Sequence, residues 1–245
     1  MALRLSVIVC AHNEADWLSG CLHSLLAQSR AADEILVINN ASTDDTRAVA
    51  LQIPGVRVVD EPNKGLVVAR ETARRVAAGD ILVYLDADCR APLTWLARVE
   101  ARFARDPALL ALSGPYRYYD WDPLGRVLIR AYDFTLAPAT QLLVKYVLRI
   151  GTIFYGGNFA VRREALDAIG GFDTSIEFHG EDTDLGRRLF EQGKVALFHD
   201  CYLYTSARRY IAMGKGAVFR LYVRNFTSEL LRHRPKDRTH IDVRA

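Results

Sequence analysis

Four short apolar runs near the start of the chain constrain its fold more than any other feature of the sequence. They occupy residues 5–9, 34–38, 56–59 and 81–85. Each run is rich in β-branched residues and nearly continuous rather than alternating, which is typical of strands covered on both faces. Helical patterns lie between them at 14–28 and 66–78, and the stretch 42–45 resembles a capping box that opens a further helix. This alternation predicts an α/β fold with a mostly parallel, doubly wound sheet.

Every polar cluster in this half of the chain directly follows one of the four predicted strands. The clusters contain Ala11, His12, Asn13 and Glu14 after the first strand, Asn39 and Asn40 after the second, Lys64 after the third, and Asp86, Ala87 and Asp88 after the fourth. Ligands of open α/β sheets bind in the crevice at the carboxyl ends of the strands. The sequence therefore predicts a binding site at this edge of the sheet.

Asp86 and Asp88 are the strongest candidates for metal ligands. Because they are two residues apart, an extended chain would point both carboxylates to one face. Hard oxygen ligands suit Mg²⁺ or Mn²⁺, and these ions in turn suit a diphosphate. An acidic turn that merely follows a strand is the alternative interpretation of the same pattern.

The second half of the chain is less regular. Apolar periodicity predicts helices over 93–105, 162–169 and 181–192, and strands over 156–161 and 194–198. Residues 116–150 mix aromatic, basic and apolar side chains without a sharp period. A long basic amphipathic helix is predicted after about residue 209.

A second acidic cluster opens the helix predicted over 181–192. Asp184 is spaced three and four residues from Arg187 and Arg188, so it could simply form ion pairs along the helix. Glu181 and Asp182 are favoured by the helix dipole in the first turn without any further role. A transferase, however, needs a carboxylate for the attacking hydroxyl that is separate from the acids of a metal site.

Composition limits the classes of protein that this chain can belong to. Its 245 residues are 50% hydrophobic and 25% charged, which suits one large globular domain. A net charge of +3 is too small to indicate a nucleic-acid partner, although basic residues crowd the C-terminal positions.

Cysteine usage and hydropathy predict the compartment. The four cysteines show no CxxC pair and no framework spacing, which favours reduced thiols in the cytoplasm. The N-terminus lacks the long apolar region of a signal peptide, and no stretch reaches the roughly twenty apolar residues of a spanning helix. We therefore expect a cytoplasmic protein.

Six motifs occur in an order that resembles the family-two glycosyltransferases of the GT-A fold. They are SVIVCAHNE, INNASTDDT, NKGLVVAR, GDILVYLDADC, GGNFAVRREALDAIGGFD and GEDTDLGRRL, and they extend over roughly residues 4–200. The resemblance implies a Rossmann-like GT-A domain over 1–207, with a nucleotide-binding half at 1–90 and an acceptor-binding half at 91–207. A basic helical extension would follow over 208–245.

The resemblance also implies a reaction and a set of site residues. A sugar would be transferred with inversion from a nucleotide-diphosphate sugar to a hydroxyl, with UDP favoured and GDP and dTDP open. Asp88 would hold Mg²⁺ or Mn²⁺, Asp86 would lie near the ribose or the cation, and Asp182 would be the general base. The donor would be contacted by Asn40, Lys64, Ala87 and the loop of Ala11, His12, Asn13 and Glu14, while Gly157 and Asn158 would line the sugar and acceptor pocket.

The sequence departs from the family pattern at three places. Cys10 and Asn39 stand where the family often has a proline and an acid, which affects recognition of the base. YTSARRY stands where a histidine often follows the last strand, so Arg208 or Arg209 is assigned to the diphosphate instead. For Asp182, the position at a helix start leads us to expect an ionised carboxylate at neutral pH.

The sequence leaves open other functions, and it leaves open the acceptor and whether the protein lies on a membrane. A nucleotidyltransferase also uses a doubly wound sheet, carboxylates and Mg²⁺, and a catalytically silent sugar-nucleotide-binding protein would keep the same fold. The acceptor would be a glycan or a lipid-linked molecule of cell-envelope polysaccharide synthesis. The apolar segment 124–150 and the basic tail could hold the enzyme on the inner face of an anionic membrane, or the tail could simply lie on the domain with its basic face in water.

Overall fold

The computed structural model describes residues 3–143, 154–176, 180–214, 216–218, 220–221 and 224. Its first half alternates strands with helices: β1 (Leu5–Ala11), α1 (Ala15–Leu26), β2 (Glu34–Asn40), α2 (Thr46–Leu51), β3 (Arg57–Glu61), α3 (Leu66–Val76) and β4 (Ile81–Asp86). All pairings among these four strands are parallel. The predicted α/β fold is confirmed.

The second half completes the sheet with mixed pairings. Its elements are α4 (Trp95–Arg105), β5 (Leu109–Ser113), β6 (Tyr116–Tyr118), α5 (Pro123–Phe134), α6 (Leu136–Leu142), β7 (Asn158–Arg162), α7 (Arg163–Ala168), α8 (Glu181–Gln192), β8 (Lys194–Leu197), β9 (Leu203–Thr205) and α9 (Arg208–Met213). The main sheet has the order β3-β2-β1-β4-β7-β5-β8, in which β7 is antiparallel to both neighbours. β6 and β9 form a separate parallel pair.

The sheet is buried on both faces, which explains its continuous apolar runs. Successive side chains of a strand point to opposite faces, so β1 contributes to two core layers. Val7 and Val9 pack in the layer that contains Leu18 of α1, while Ile8 packs in the layer that contains Val67 of α3. No helix in the described ranges is long and apolar enough to cross a membrane.

The structure differs from the sequence-based expectation mainly at element ends and in the C-terminal half. β1, β2 and β4 run one or two residues further than predicted, so that Asn40 and Asp86 belong to strand ends. β5, β6, β9 and α6 were not predicted, because short elements carry too little periodicity, and α5 was missed within the mixed stretch 116–150 although it has helical apolar spacing. The four residues at 42–45 do not form a capping box, since α2 has Asp45 at its N-cap without a side-chain cap bond.

The predicted C-terminal helix begins at Arg208 but is interrupted. α9 ends at Met213 and is followed by Gly214, which has a φ of 81° in the left-handed region that favours glycine. Residues 216–218, 220–221 and 224 are again helical, and the rest of the predicted basic extension lies outside the described residues.

Candidate active site at the carboxyl edge of the sheet

The loops that follow β1 and β2 are joined by hydrogen bonds. Asn13 has a φ of 52°, a left-handed conformation that asparagine tolerates, and its Oδ1 accepts a bond of 2.8 Å from the Thr43 N–H. Its own N–H donates to Ser42 Oγ at 3.1 Å, and His12 Nδ1 donates to the Asn40 carbonyl at 2.7 Å. His12 and Asn13 therefore lie partly exposed at the edge of the sheet, where a ligand was predicted.

Asn40 is buried and bonded to the backbone, whereas the sequence predicts that its side chain contacts the nucleotide base. The side chain is 3% exposed, and its amide nitrogen donates to the carbonyls of Glu61 and Asn63. Its oxygen accepts from the Gly65 N–H at 2.8 Å. A buried amide must satisfy its polar atoms, so Asn40 holds the loop after β3 in place while Lys64 in that loop stays exposed.

A pair of glycines brings the end of β4 next to the start of α8. A Cβ on Gly157 would lie only 1.9 Å from Asp86 Oδ2, and a Cβ on Gly156 would lie 3.1 Å from the Cβ of Asp182. Only residues without a side chain allow this close approach of the backbone. Asp86 and Asp182, which are far apart in the sequence, therefore face the same glycine segment.

Three residues predicted to line the site are built into the scaffold instead. Ala11 and Ala87 are buried and belong to the hydrophobic core on one face of the sheet. Asn158 is 1% exposed, and its amide nitrogen donates to the backbone carbonyls of Gly114 and Cys201. The side chain of Asn158 thus ties three segments together rather than facing a pocket.

Arg208 joins the first loop to the acids after β4. Its guanidinium makes two bonds to the carboxylate of Glu14, at 2.8 and 2.6 Å, and its Nε lies 3.0 Å from Asp88 Oδ2. Thr205 donates to the other oxygen of Asp88 at 3.2 Å. Glu14 and Asp88 are both buried, at 4% and 8% exposure. The domain boundary predicted between residues 207 and 208 therefore falls inside this site.

Arg70 is a site residue whose burial the sequence analysis missed. It is 3% exposed, donates from Nη2 to the Gly156 carbonyl at 2.7 Å, and places Nη1 3.5 Å from Glu181 Oε1. Within the described part of the chain Nη1 has no hydrogen-bond partner. Its spacing of three residues from both Val67 and Ala73 puts it on the buried face of α3, a signal that could have identified it.

Asn39 is a second residue whose contacts in the site the sequence patterns did not predict. Its Nδ2 donates to Asp60 Oδ1 at 2.9 Å, while its Oδ1 is buried and has no hydrogen-bond partner among the residues that the structure describes. A buried acceptor without a donor is unfavourable unless a ligand supplies one. Asn39 thus offers an acceptor at the carboxyl end of β2.

Asp182 does not have the ionisation that its helix-start position predicts. α8 begins after Gly180, whose φ is 89°, and Asp182 Oδ1 accepts from the Thr183 N–H at 2.8 Å. Burial raises the pKa of Asp182 to about 7, and the neighbouring carboxylate of Glu181 adds to the rise. The Thr183 N–H and Arg70 oppose it without offsetting it. Desolvation outweighs the helix dipole, so Asp182 is a weaker acid than its helix-start position predicts, and a pKa of about 7 leaves part of it neutral at neutral pH.

Asp184, two residues further on, has a different environment. Its two oxygens pair with Arg187 at 2.9 Å and with Arg188 at 3.4 Å, as the spacing along the helix predicts. Asp182 therefore differs from Asp184 in lacking these arginine contacts and in facing the glycine segment.

Carboxylates outnumber guanidiniums in this site. The acids are Glu14, Asp86, Asp88, Glu181 and Asp182, and the bases are Arg70 and Arg208. Burial raises the pKa of Asp88 to about 6, the carboxylates of Asp86 and Glu14 add to it, and Arg208 opposes it. An excess of acid repels a diphosphate unless a further cation offsets it.

A divalent cation fits this donor set in one specific way. No group of three or more His, Cys, Asp or Glu side chains in the described ranges is arranged to hold a metal ion by itself. Mg²⁺ and its relatives are commonly held by one or two carboxylates together with the phosphates of a substrate. Asp86 and Asp88 fit such a site, because two carboxylates fill only part of the coordination shell of the ion and supply the charge that a cation balances.

Comparison of the sequence with known proteins identifies its relatives. The model of the family described as Glycosyl transferase family 2 matches residues 6–170. Polypeptide N-acetylgalactosaminyltransferase 3 of Taeniopygia guttata is 30% identical over 219 residues, which cover 77% of this chain and 35% of that protein. The chain thus spans about a third of the length of this curated relative.

Solved structures confirm the GT-A fold. The mannosyltransferase PcManGT of Pyrobaculum calidifontis, in complex with GDP-Man and Mn²⁺, superposes with a TM-score of 0.68 at 26% identity, over 91% of this chain and 65% of that one. S. aureus TarS in complex with UDP superposes with a TM-score of 0.65 at 18% identity, over 84% of this chain and 61% of that one.

Proposed function

The chain belongs to glycosyl transferase family 2, and from this membership we propose that it transfers a sugar from a nucleotide-diphosphate sugar to a hydroxyl acceptor with inversion. The observation that carries the proposal is the glycine segment. Gly156 and Gly157 place Asp182 and Asp86 on the same short stretch of backbone. A carboxylate that would take the acceptor proton and a carboxylate that would help to hold the donor cation thus meet at one place.

For the donor, we assign a UDP-sugar to the crevice at the carboxyl edge. The buried Oδ1 of Asn39 is suited to accept an N–H from the base, beside the loop of His12 and Asn13. Lys64 is exposed at the same edge for the nucleotide. The related mannosyltransferase contains GDP-Man and Mn²⁺ and the related TarS contains UDP, which supports a nucleotide sugar as donor.

Asp88 and Asp86 would hold Mg²⁺ or Mn²⁺ together with the donor diphosphate. When bound, the cation would offset the negative charge that develops on the departing nucleoside diphosphate. Arg208 would supply a second positive charge there, since its guanidinium already lies between Asp88 and Glu14. Together, the cation and Arg208 would balance the excess negative charge of the carboxylates in the site.

Asp182 would take the proton of the acceptor hydroxyl. The acceptor oxygen bonds to the anomeric carbon on the face opposite the diphosphate, the bond to the diphosphate oxygen breaks, and the proton passes to the Asp182 carboxylate. A pKa of about 7 keeps a substantial fraction of Asp182 ionised at neutral pH and makes it a stronger base than an ordinary aspartate. Arg70 positions this region through the Gly156 carbonyl.

For the acceptor and its setting, we propose a lipid-linked glycan of the cell envelope at the cytoplasmic face of a membrane. The support is the apolar segment after residue 123 and the basic C-terminal sequence. A soluble glycan acceptor is the second possibility to be tested.

Product analysis tests the proposed reaction. The full-length protein is incubated with Mn²⁺, a panel of radiolabelled UDP-sugars and GDP-mannose, and soluble and lipid-linked acceptors, and the anomeric configuration of the product is read by NMR. Sugar transfer with inversion is expected. Transfer of the nucleotide would indicate a nucleotidyltransferase, and tight donor binding without any product would indicate a silent binding protein.

Matched variants test the base. Asp182→Asn keeps the size of the side chain but cannot take the proton, so turnover should fall by about 10²- to 10⁴-fold. Asp184→Asn is the control on the same helix and should retain most turnover. A larger loss in Asp184→Asn than in Asp182→Asn would show that the wrong carboxylate was assigned.

A further inference from the structure

The apolar face of α5 points away from the protein. Leu124, Val127, Leu128 and Ala131 follow the i, i+3, i+4, i+7 spacing of one helix face, and the first three are 62%, 63% and 55% exposed. Asp133, on the other side, is 6% exposed. A surface helix of a globular domain normally turns its apolar face to the core, so the exposure of this stripe is unusual for a surface helix.

α6 extends this apolar surface along the chain. Phe134 at the end of α5 is 66% exposed, Leu136 and Leu142 of α6 are 53% and 58% exposed, and Leu143 directly after α6 is 47% exposed. We define the α5–α6 surface by its large exposed side chains, which are Leu124, Val127, Leu128, Phe134, Leu136, Leu142 and Leu143. Large apolar side chains exposed in this number on two consecutive helices are typical of a docking surface.

The exposed charge on this surface is positive. Between residues 123 and 143, all described, the charged residues are Arg126, Arg130 and Asp133. Both arginines are exposed, whereas Asp133 is buried and accepts a bond of 3.2 Å from the Tyr155 hydroxyl. A partner that matches the surface therefore presents apolar groups beneath an anionic layer.

α9 adds to the same side of the molecule. Its Tyr210 ring lies 4.5 Å from the Trp121 ring, directly before α5, and its Ile211 is 63% exposed. Arg220 and Arg224, further along, are exposed cations. The basic C-terminal sequence therefore follows α9, a helix that contacts Trp121 directly before α5.

We propose that the α5–α6 surface docks on a bilayer that contains anionic phospholipid. Leucine, valine and phenylalanine side chains would enter the boundary between headgroups and acyl chains, with Arg126 and Arg130 at the phosphates. A second copy of the chain fits less well, because its own α5 and α6 carry no exposed acid to pair with Arg126 and Arg130.

The helix α5, which carries part of this surface, lies next to the candidate active site. Asp133 of α5 bonds to Tyr155, and Tyr155 directly precedes the glycine segment that contacts Asp86 and Asp182. Docking would thus present the acceptor side of the site to the bilayer. The choice of a lipid-linked acceptor rests on the proposed function, whereas bilayer binding itself does not.

Vesicle flotation of the full-length protein tests the surface. Vesicles of phosphatidylcholine alone are compared with equimolar phosphatidylglycerol and phosphatidylcholine at low and physiological salt. Binding that requires phosphatidylglycerol and weakens with salt is expected. Leu128→Glu should lower the vesicle partition coefficient by about tenfold or more, the loss expected when one leucine stays in water.

Matched controls separate this surface from other contributions. Leu51→Glu changes a leucine of α2 with the same 55% exposure and should leave partition unchanged. Arg126→Glu with Arg130→Glu should remove the preference for anionic vesicles, whereas Arg105→Glu, an exposed arginine of α4, should not.

Each contrary result has a distinct meaning. No flotation of the wild-type protein with anionic vesicles at low salt would overturn the proposal. Equal losses in Leu128→Glu and Leu51→Glu, or full binding in Leu128→Glu, would also overturn it and leave the basic tail as the binding element. A dimer in light scattering that Leu128→Glu dissociates, without vesicle binding, would assign the surface to a second copy. Vesicle binding without sugar transfer to any acceptor would reject the proposed function but retain the surface.

Discussion

The acidity of Asp182 makes the pH dependence of turnover a direct test of the site. Burial and the Glu181 carboxylate together raise the pKa of Asp182 to about 7. If Asp182 is the base, only its ionised form is active, and turnover should rise with pH through about 7. At pH 6 about a tenth of the molecules would carry the ionised form.

Glu181→Gln should move this transition to lower pH. The substitution removes the like charge that is the second cause of the rise, and it releases Arg70 from an ion pair of 3.5 Å, so that the guanidinium favours ionised Asp182 more strongly. A neighbouring like charge is worth on the order of one pKa unit, which would lower the pKa of Asp182 to about 6. At pH 6 about half of the molecules would then be active, so turnover relative to its plateau should be about fivefold that of the wild type.

The assay must isolate the chemical step. Single-turnover rates of sugar transfer are measured between pH 5 and 8.5 with saturating donor and Mn²⁺, so that protonation of Asp88 does not appear as weaker donor binding. Glu191→Gln is the control, because Glu191 lies on the same helix and pairs with Arg187 at a position 57% exposed. A flat wild-type profile, or an equal displacement in Glu191→Gln, would refute the assignment of the base and of its electrostatic control.

Three further substitutions in the site have effects of predictable sign. Asp182→Asn should stabilise the protein by about 1–3 kcal/mol at pH 8 in denaturant melts, because the stability given by the neutral carboxyl is complete below its ordinary pKa and is lost as pH rises through about 7. A variant less stable than the wild type at pH 8 would contradict this. Arg208→Met leaves Glu14 and Asp88 buried without their guanidinium and should cost about 3–5 kcal/mol, partly recovered by Mn²⁺; a loss below about 1 kcal/mol would show that the network is not stabilising. Asp88→Ala, or EDTA with the wild type, should abolish most of the calorimetric affinity for the UDP-sugar, and unchanged affinity in both would remove the metal assignment.

Local sequence patterns correctly predicted the features that depend on a single helix or strand. The continuous β-branched runs predicted β1 to β4, the four parallel strands of the first half, since strands buried on both faces need apolar residues at successive positions. Because Asp86 directly follows the apolar run 81–85, the sequence predicted its position at the carboxyl end of that strand. The ion pairs of Asp184 followed from helical spacing alone. These features depend only on a period of two or of 3.6 residues.

Tertiary structure alone decided the environment of the site residues. Arg208 and Glu14 are 194 positions apart, and no local pattern pairs them. Asp182 has a raised pKa because other segments bury it, although its own helix would favour the charge. The outward apolar face of α5 has the same spacing as an inward one, so only the position of the rest of the protein settles which side meets water. Periodicity specifies which residues share a face, whereas burial, ionisation and partners depend on segments that are distant in sequence and meet only in the folded chain.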